Sequence, residues 1–327
     1  MTAGSRAERG PDGALRLAPV LVPKPWGGRA LARLGRDLPD DLGRVGESWE
    51  VADLVPDATP VADPCSRVVD GPHAGRSLAE LVAQDRTWLL GDAAATPAGR
   101  FPLLVKLLDA SEDLSVQVHP TPATASPGEH VKTETWVVLD AEPGARVLLG
   151  LRPGTTRAAF AAAAGTADVV QLLRPVPVAA GDVLHLPSGL VHALGAGVVV
   201  VEVQTPSDTT HRLHDWAELG RAPRELHVEQ ATEAVLDAWD ANLAEPQRPA
   251  GVGVLVSEDA YLLARNRLAA GETWRARDSR PWVVVVLDGT PTVCGERLAR
   301  ADVRLVPAAV DCELAGPGTV LLASPTA

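Results

Sequence analysis

Gln117, His119, Lys132, Glu134 and His192 are the residues whose types and spacing could do chemistry. Side chains alternate along a β-strand, so Gln117 and His119 project from one face, as do Lys132 and Glu134 on a neighbouring segment. The segment Gly181–His192 supplies the second histidine, just after a tight turn at Pro187-Ser188-Gly189. Nitrogen and oxygen donors converging in this way make a site for a divalent metal. The lysine beside the carboxylate points to chemistry rather than to a purely structural ion.

The elements that must position these groups read mostly as short strands punctuated by Gly and Pro. Leu15 to Val22 predicts a strand ending in the turn-like Pro23-Lys24-Pro25-Trp26-Gly27-Gly28. Further strands are expected at 46–51, 103–108, 114–119, 133–139, 183–186 and 198–204, and in the last part at 261–266, 283–287 and 320–323. Leu78, Leu81, Val82, Trp88 and Leu89 have helical spacing over 77–90, with Ser77 as N-cap. Shorter helices are expected at 157–164 and 167–173, and another at 228–239 near a boundary. The spacing of strands and turns predicts an antiparallel sandwich or barrel. Residues 1–14 are read as a disordered tail, 15–243 as the metal-binding domain, and 250–327 as a smaller β domain that has no histidine and cannot rebuild the metal constellation.

Composition excludes several classes of function. A net charge of −12 over 327 residues argues against nucleic acid or an anionic membrane as partner. No apolar run approaches the ~18 residues that span a bilayer, and the polar start lacks a signal-peptide core, so a cytoplasmic location is expected. Cys65, Cys294 and Cys312 are scattered, with no CxxC spacing, which argues against a disulfide framework and a cysteine zinc site. Three lysines stand against 27 arginines, and each lysine (Lys24, Lys106, Lys132) falls in a segment singled out on other grounds. A lysine retained under such pressure offers a compact charge that arginine cannot imitate.

The run from Gly181 to His192 has the pattern G, five residues, P-x-G, two residues, H. It resembles the second motif of the cupin superfamily, which implies a double-stranded β-helix, or jelly roll, with a metal site in its barrel. Gln117-x-His119 and Glu134 would then stand for the first cupin motif, with glutamine replacing its first histidine. A narrower resemblance covers residues 20–216: Pro23-Lys24-Pro25-Trp26-Gly27-Gly28, Glu47-Ser48-Trp49-Glu50, Phe101–Ala110, Leu114–Pro120, Lys132–Trp136 and Glu202–Asp215 are similar to type I mannose-6-phosphate isomerases. The short bacterial form, without a long inserted helical domain, is the one it looks like. The resemblance implies one zinc ion held by Gln117, His119, Glu134 and His192, a catalytic role for Arg212, and a mainly β fold: a cupin jelly roll followed by a degenerate cupin-like β domain.

Interconversion of mannose 6-phosphate and fructose 6-phosphate moves a proton between C2 and C1 through a cis-enediol, so a base and a group that stabilises charge on oxygen are required. Glu202, on one strand face with Gln204, is favoured as base, with Lys132 as the rival. Arg212 is expected to stabilise the enediolate, and Lys106, Lys132 or Arg212 to contact the sugar phosphate. Two other readings are a metal-dependent cupin oxygenase and a non-catalytic sugar-binding cupin. The expected partner is a small sugar phosphate, with no obligate protein partner. His73, His130, His211, His214 and His227 are read as packed or surface residues. Trp26, Trp49 and Trp136 are read as core or pocket wall, and Lys24 as a structural pair near the pocket entrance. Strand alternation leaves the direction of His185 open.

Overall fold

The run Val198-Val199-Val200-Val201-Glu202-Val203-Gln204 explains the architecture. Six antiparallel strands form the main sheet in the order Val183–Leu186, Glu134–Ala141, Val198–Gln204, Leu104–Ala110, Val45–Val51, Val20–Gly28. In this computed structural model, which describes residues 13–127, 129–217, 220, 222, 224–275 and 279–326, that sheet is buried on both faces. Val198 and Val200 face one core with Trp26, Trp136, Val147 and Leu149. Val199, Val201 and Val203 face another, made with Tyr261, Leu263, Val283, Val285, Leu321 and Ala323 of the C-terminal unit. A strand apolar on both sides loses its alternation, and each valine removed from water contributes roughly 1.5–3 kcal/mol. Glu202 and Gln204 continue the inner parity, so the same strand delivers polar groups into the barrel.

A second sheet faces the first in the order His211–His214, Val116–Val118, His192–Leu194, Arg146–Leu151, Leu173–Pro177. From Leu104 onward the chain passes back and forth between the two sheets, which closes a jelly roll. The helices Arg157–Ala163, Val169–Leu172, Val228–Asp237 and Trp239–Leu243 cover the outer face of this sheet through Phe160, Val169, Ala231, Val235 and Trp239. The C-terminal unit is a sandwich of a five-stranded and a four-stranded antiparallel sheet with its own core around Val284, Val286, Leu314 and Leu322. Leu15 exchanges backbone bonds of 2.7 and 3.0 Å with Leu305, so the start of the chain is tied to that unit. No helix among the described residues is long and apolar enough to cross a membrane.

Three local expectations are corrected. The turn-like 23–28 segment runs on as part of the strand Val20–Gly28, its register slipping at Val22/Pro23 and again before Gly28. It lies at the sheet edge, where prolines lacking an N–H are tolerated. The helix expected over 77–90 is two, Leu78–Gln84 with a Ser77–Glu80 capping box and Arg86–Leu90 capped by Asp85. The cysteines also differ from expectation. Cys294 and Cys312 form a disulfide and Cys65 is free. A pairing 18 residues apart across two strand ends leaves no local spacing signal.

Candidate active site

Strand register assembles the site. In the smaller sheet His192 and Arg212 flank Gln117 as its partners on either side. In the main sheet Glu202 lies between Trp136 and Lys106, and Gln204 lies opposite Glu134. Gly189 makes the turn before His192 with φ of +80°, and its N–H donates to the His119 carbonyl at 3.0 Å. A left-handed backbone there favours glycine.

His119, Glu134 and His192 converge so that their ligand atoms lie within 4.8 Å of one another, a cluster that could hold a metal ion. His119 Nε2 and His192 Nε2 are each 3.4 Å from a different oxygen of Glu134. Both rings donate from Nδ1 to a carbonyl, His119 to Thr209 at 2.9 Å and His192 to Leu190 at 2.8 Å, which turns the Nε2 lone pairs toward the centre. His119 Nε2 and Glu134 Oε1 are buried without a hydrogen-bond partner among the described residues, while Glu134 Oε2 meets the Lys132 ammonium at 2.8 Å. Leaving such groups unmet costs about 1–3 kcal/mol each, so the donor set fits a cation. Gln117 lies beside this cluster, its Nε2 3.2 Å from His192 Nε2 and its Oε1 accepting from the Ser115 hydroxyl. Half a turn of the amide brings the oxygen inward and the nitrogen onto Ser115, because a hydroxyl accepts as readily as it donates. Burial, then the charge of Lys132, holds His119 down at about 3, so its ring stays neutral and able to ligate.

Beside this cluster runs a chain of alternating charges. Lys24 is 3.0 Å from Glu47, Lys106 is 3.5 Å from Glu47 and 3.3 Å from Glu202, and Lys132 is 3.8 Å from Glu202 and 2.8 Å from Glu134. All three lysines of the protein are in it. Burial and the neighbouring Glu134 raise the Glu202 carboxyl above its usual range, against the pull of Lys132 and Lys106. Burial also works against Glu47, yet Lys106 and Lys24 outweigh it and hold that carboxyl far below the usual range. Glu202 therefore differs from Glu47 in the direction of its shift, toward a more basic carboxylate. Its Oε2 accepts from the Trp136 indole at 2.9 Å, while its buried Oε1 has no hydrogen-bond partner among the described residues.

These groups line a cavity of about 290 Å³ that holds Lys24, Lys106, Gln117, Lys132, Glu202 and Arg212 together. It also contains Glu47, Ser115, Arg224 and His227, for which sequence reasoning gave no role. Arg224 grips Asp215 through both ends of its guanidinium. His227, read as a packed or surface residue, accepts the Arg212 backbone N–H at 3.3 Å and lines the cavity. Glu47 and Ser115 fall inside segments that carry the family resemblance, which is the signal that could have found them, whereas Arg224 and His227 lie beyond those segments. Burial and the charge of Arg224 lower the pKa of Arg212. Lys24, Trp26 and Trp136 form part of the wall, and Trp49 is fully buried with its N–H on Glu47 at 2.7 Å. His185 turns away, to Thr135 Oγ1 at 3.0 Å and Glu258 at 3.2 Å, at the seam with the C-terminal unit.

A jelly roll with histidines and a carboxylate converging inside its barrel, next to a basic cavity, defines a cupin-fold protein with a metal-type centre. Residues 14–140 match the family described as phosphomannose isomerase type I, catalytic domain. YvyI, a Bacillus subtilis relative under the mannose-6-phosphate isomerase name, is 32% identical over 284 residues, covering 84% of this chain and 85% of its own length. The crystal structure of the Bacillus subtilis mannose 6-phosphate isomerase has 28% identity and a TM-score of 0.77, over 95% of this chain and 99% of that one. A mannose 6-phosphate isomerase solved bound with zinc and yttrium shares the fold at 17% identity and a TM-score of 0.73, over 96% and 100%. The chain belongs to the type I mannose-6-phosphate isomerase family, and it is an aldose–ketose isomerase.

Proposed function

We propose that this chain interconverts D-mannose 6-phosphate and D-fructose 6-phosphate through a cis-enediol, with Glu202 as the base. The observation that carries the reading is the placement of Glu202 Oε1, which faces two lysine ammonium groups in the same cavity as Gln117 and Arg212. Glu202 takes the C2 proton. The electrons of the C2–H bond become the C1–C2 double bond while those of the C1=O1 bond move onto O1, giving the enediolate. Passage of the O2 proton to O1 and return of the proton from Glu202 to C1, as C2=O2 forms, give the ketose. Lys106 and Lys132 face the oxygen as charge develops, where fixed cations are most effective. Lys132 is the rival base, but its 2.8 Å bond to Glu134 commits it to a carboxylate.

Gln117, His119, Glu134 and His192 would hold one zinc ion, which supplies Lewis acidity and an orienting template when bound. The unpartnered His119 Nε2 and Glu134 Oε1 support this, as does the related isomerase solved with zinc. Arg212 and Arg224 are the phosphate contacts we favour. Two guanidinium groups sharing a cavity wall repel each other, and a phosphate dianion between them relieves that repulsion through forked hydrogen bonds. Arg212, the cross-strand partner of Gln117, also serves the enediolate. A coupled assay for fructose 6-phosphate, run with and without chelator, is the test. The reading requires turnover that chelation abolishes and zinc restores; a pure, metal-loaded chain that forms no ketose refutes it.

A further inference from the structure

Trp136 sits opposite Glu202 on the neighbouring strand, 1% exposed, with its indole nitrogen 2.9 Å from Glu202 Oε2. The two oxygens of Glu202 are thereby made unequal. Oε2 is occupied, whereas Oε1 meets Lys106 at 3.3 Å and Lys132 at 3.8 Å and has no hydrogen-bond partner among the described residues. We propose that Trp136 is a positioning residue for the proton-transfer step, its N–H fixing the Glu202 carboxylate so that Oε1 alone meets the substrate. The proposal rests on Glu202 being the base.

The chemistry of the indole suits this task. Its N–H only donates, so the bond has one sense and can neither carry the proton away nor favour the protonated acid at that oxygen. The ring cannot drift either. Its edge meets the His192 imidazole at a centroid distance of 5.5 Å and an interplanar angle of 83°, and Trp136 packs among Leu108, Val138 and Val200 in the inner core. One rigid side chain thus spans the interval between the base and the candidate metal cluster and keeps their separation constant. Without the N–H, the carboxylate is free to rotate toward the two lysines and present either oxygen. Near-attack geometry lost on this scale reduces turnover while leaving ground-state binding alone.

The test replaces Trp136 in the metal-loaded full chain, first by Phe and then by site-specific incorporation of benzothienylalanine, which keeps the bicyclic shape and lacks the N–H. The second form remains informative where Trp136→Phe does not fold. Losing a hydrogen bond to a charged group predicts about a 10–100-fold fall in kcat. KM and zinc content stay unchanged. The primary isotope effect on C2-deuterated mannose 6-phosphate increases, because proton abstraction becomes more rate-limiting, and a merely structural role would not produce this. In a Glu202→Gln background the same replacement causes no further loss. Unchanged kcat and isotope effect in the benzothienyl form, with Glu202→Gln inactive, overturn the positioning role and leave the base assignment standing. A loss cured by added zinc overturns it too, since Trp136 would then act through His192. Full activity in Glu202→Gln instead removes the base assignment on which the inference rests.

Discussion

Lys106 and Glu202 are direct cross-strand partners, and their charged ends stand 3.3 Å apart while Glu47 holds the other side of the same ammonium at 3.5 Å. Burial would push the Lys106 pKa down, but Glu47 and Glu202 outweigh it and hold the group firmly charged. A compact ammonium fits between two carboxylates where a forked, planar guanidinium does not. This is a physical reason for lysine to persist here in a chain that otherwise uses arginine.

Two substitutions separate charge from shape. Lys106→Met strands two buried carboxylates and should cost about 3–5 kcal/mol in urea unfolding. Lys106→Arg keeps the charge and should recover part of that stability, but lose at least about tenfold in kcat through displaced carboxylates. Wild-type kinetics in Lys106→Arg would show that the lysine is not needed for its size.

Metal removal should abolish turnover, and zinc should restore it at one ion per chain by elemental analysis. His192→Ala removes a donor whose Nδ1 is already anchored to Leu190. It should lower metal affinity by at least about tenfold, comparable to losing an outer-shell partner. Retention of a full zinc equivalent with unchanged affinity in His192→Ala would exclude that residue as a ligand.

Much of this site is legible in the sequence, and the rest is hidden for identifiable reasons. His119, Glu134 and His192 converge because strand alternation and the Pro187–Gly189 turn are local rules, readable a few residues at a time. Glu47 and Arg224 enter the cavity from segments distant in the chain from each other and from Gln117, and no spacing rule links them to it. The valine run at 198–201 reads as a strand, but its second buried face depends on the C-terminal sheet that covers it. The strand through Pro23–Gly28 was hidden because proline and glycine punctuate turns and sheet edges alike.

The pH dependence follows from Glu202. Burial and Glu134 raise its carboxyl above the ordinary carboxylate range, and the base role proposed for it requires the ionised form. Activity should therefore be fully present above that raised value and fall as pH drops through it, earlier than an ordinary glutamate would allow. The profile of kcat is the measurement to use, since it reports the enzyme–substrate complex. Substrate phosphate titrates near pH ~6 and would blur kcat/KM. In Glu202→Asp the limb should move while the alkaline side is unchanged; an acid limb of the same position and size in Glu202→Gln would assign it to another group.

Phosphate recognition separates Arg224 from Arg212. Arg224 is clamped by Asp215 at the cavity wall, so Arg224→Ala should raise KM for mannose 6-phosphate about tenfold or more with kcat nearly intact. Arg212→Ala should lower kcat by about 100-fold, as expected for loss of a charge that meets the developing oxyanion. Inorganic phosphate should inhibit the wild type competitively and Arg224→Ala more weakly. Equal inhibition of both proteins would remove Arg224 from the phosphate site.

Gly189 gives the most local check on how the cluster is held. Its φ of +80° is strained for any side chain, and a Cβ there would lie 2.5 Å from the Ala238 Cβ and 2.7 Å from Thr121 Cγ2. Those contacts come from the junction of the two covering helices and from the loop after His119, so neither neighbour can give way without moving part of the site. Gly189→Ala should therefore destabilise the protein by about 1–3 kcal/mol in urea unfolding. It should also weaken zinc binding, because the turn carries both the His119 backbone bond and the start of the His192 strand. A variant with wild-type stability and metal affinity would mean that the turn can be rebuilt without this glycine and does not set the position of His192.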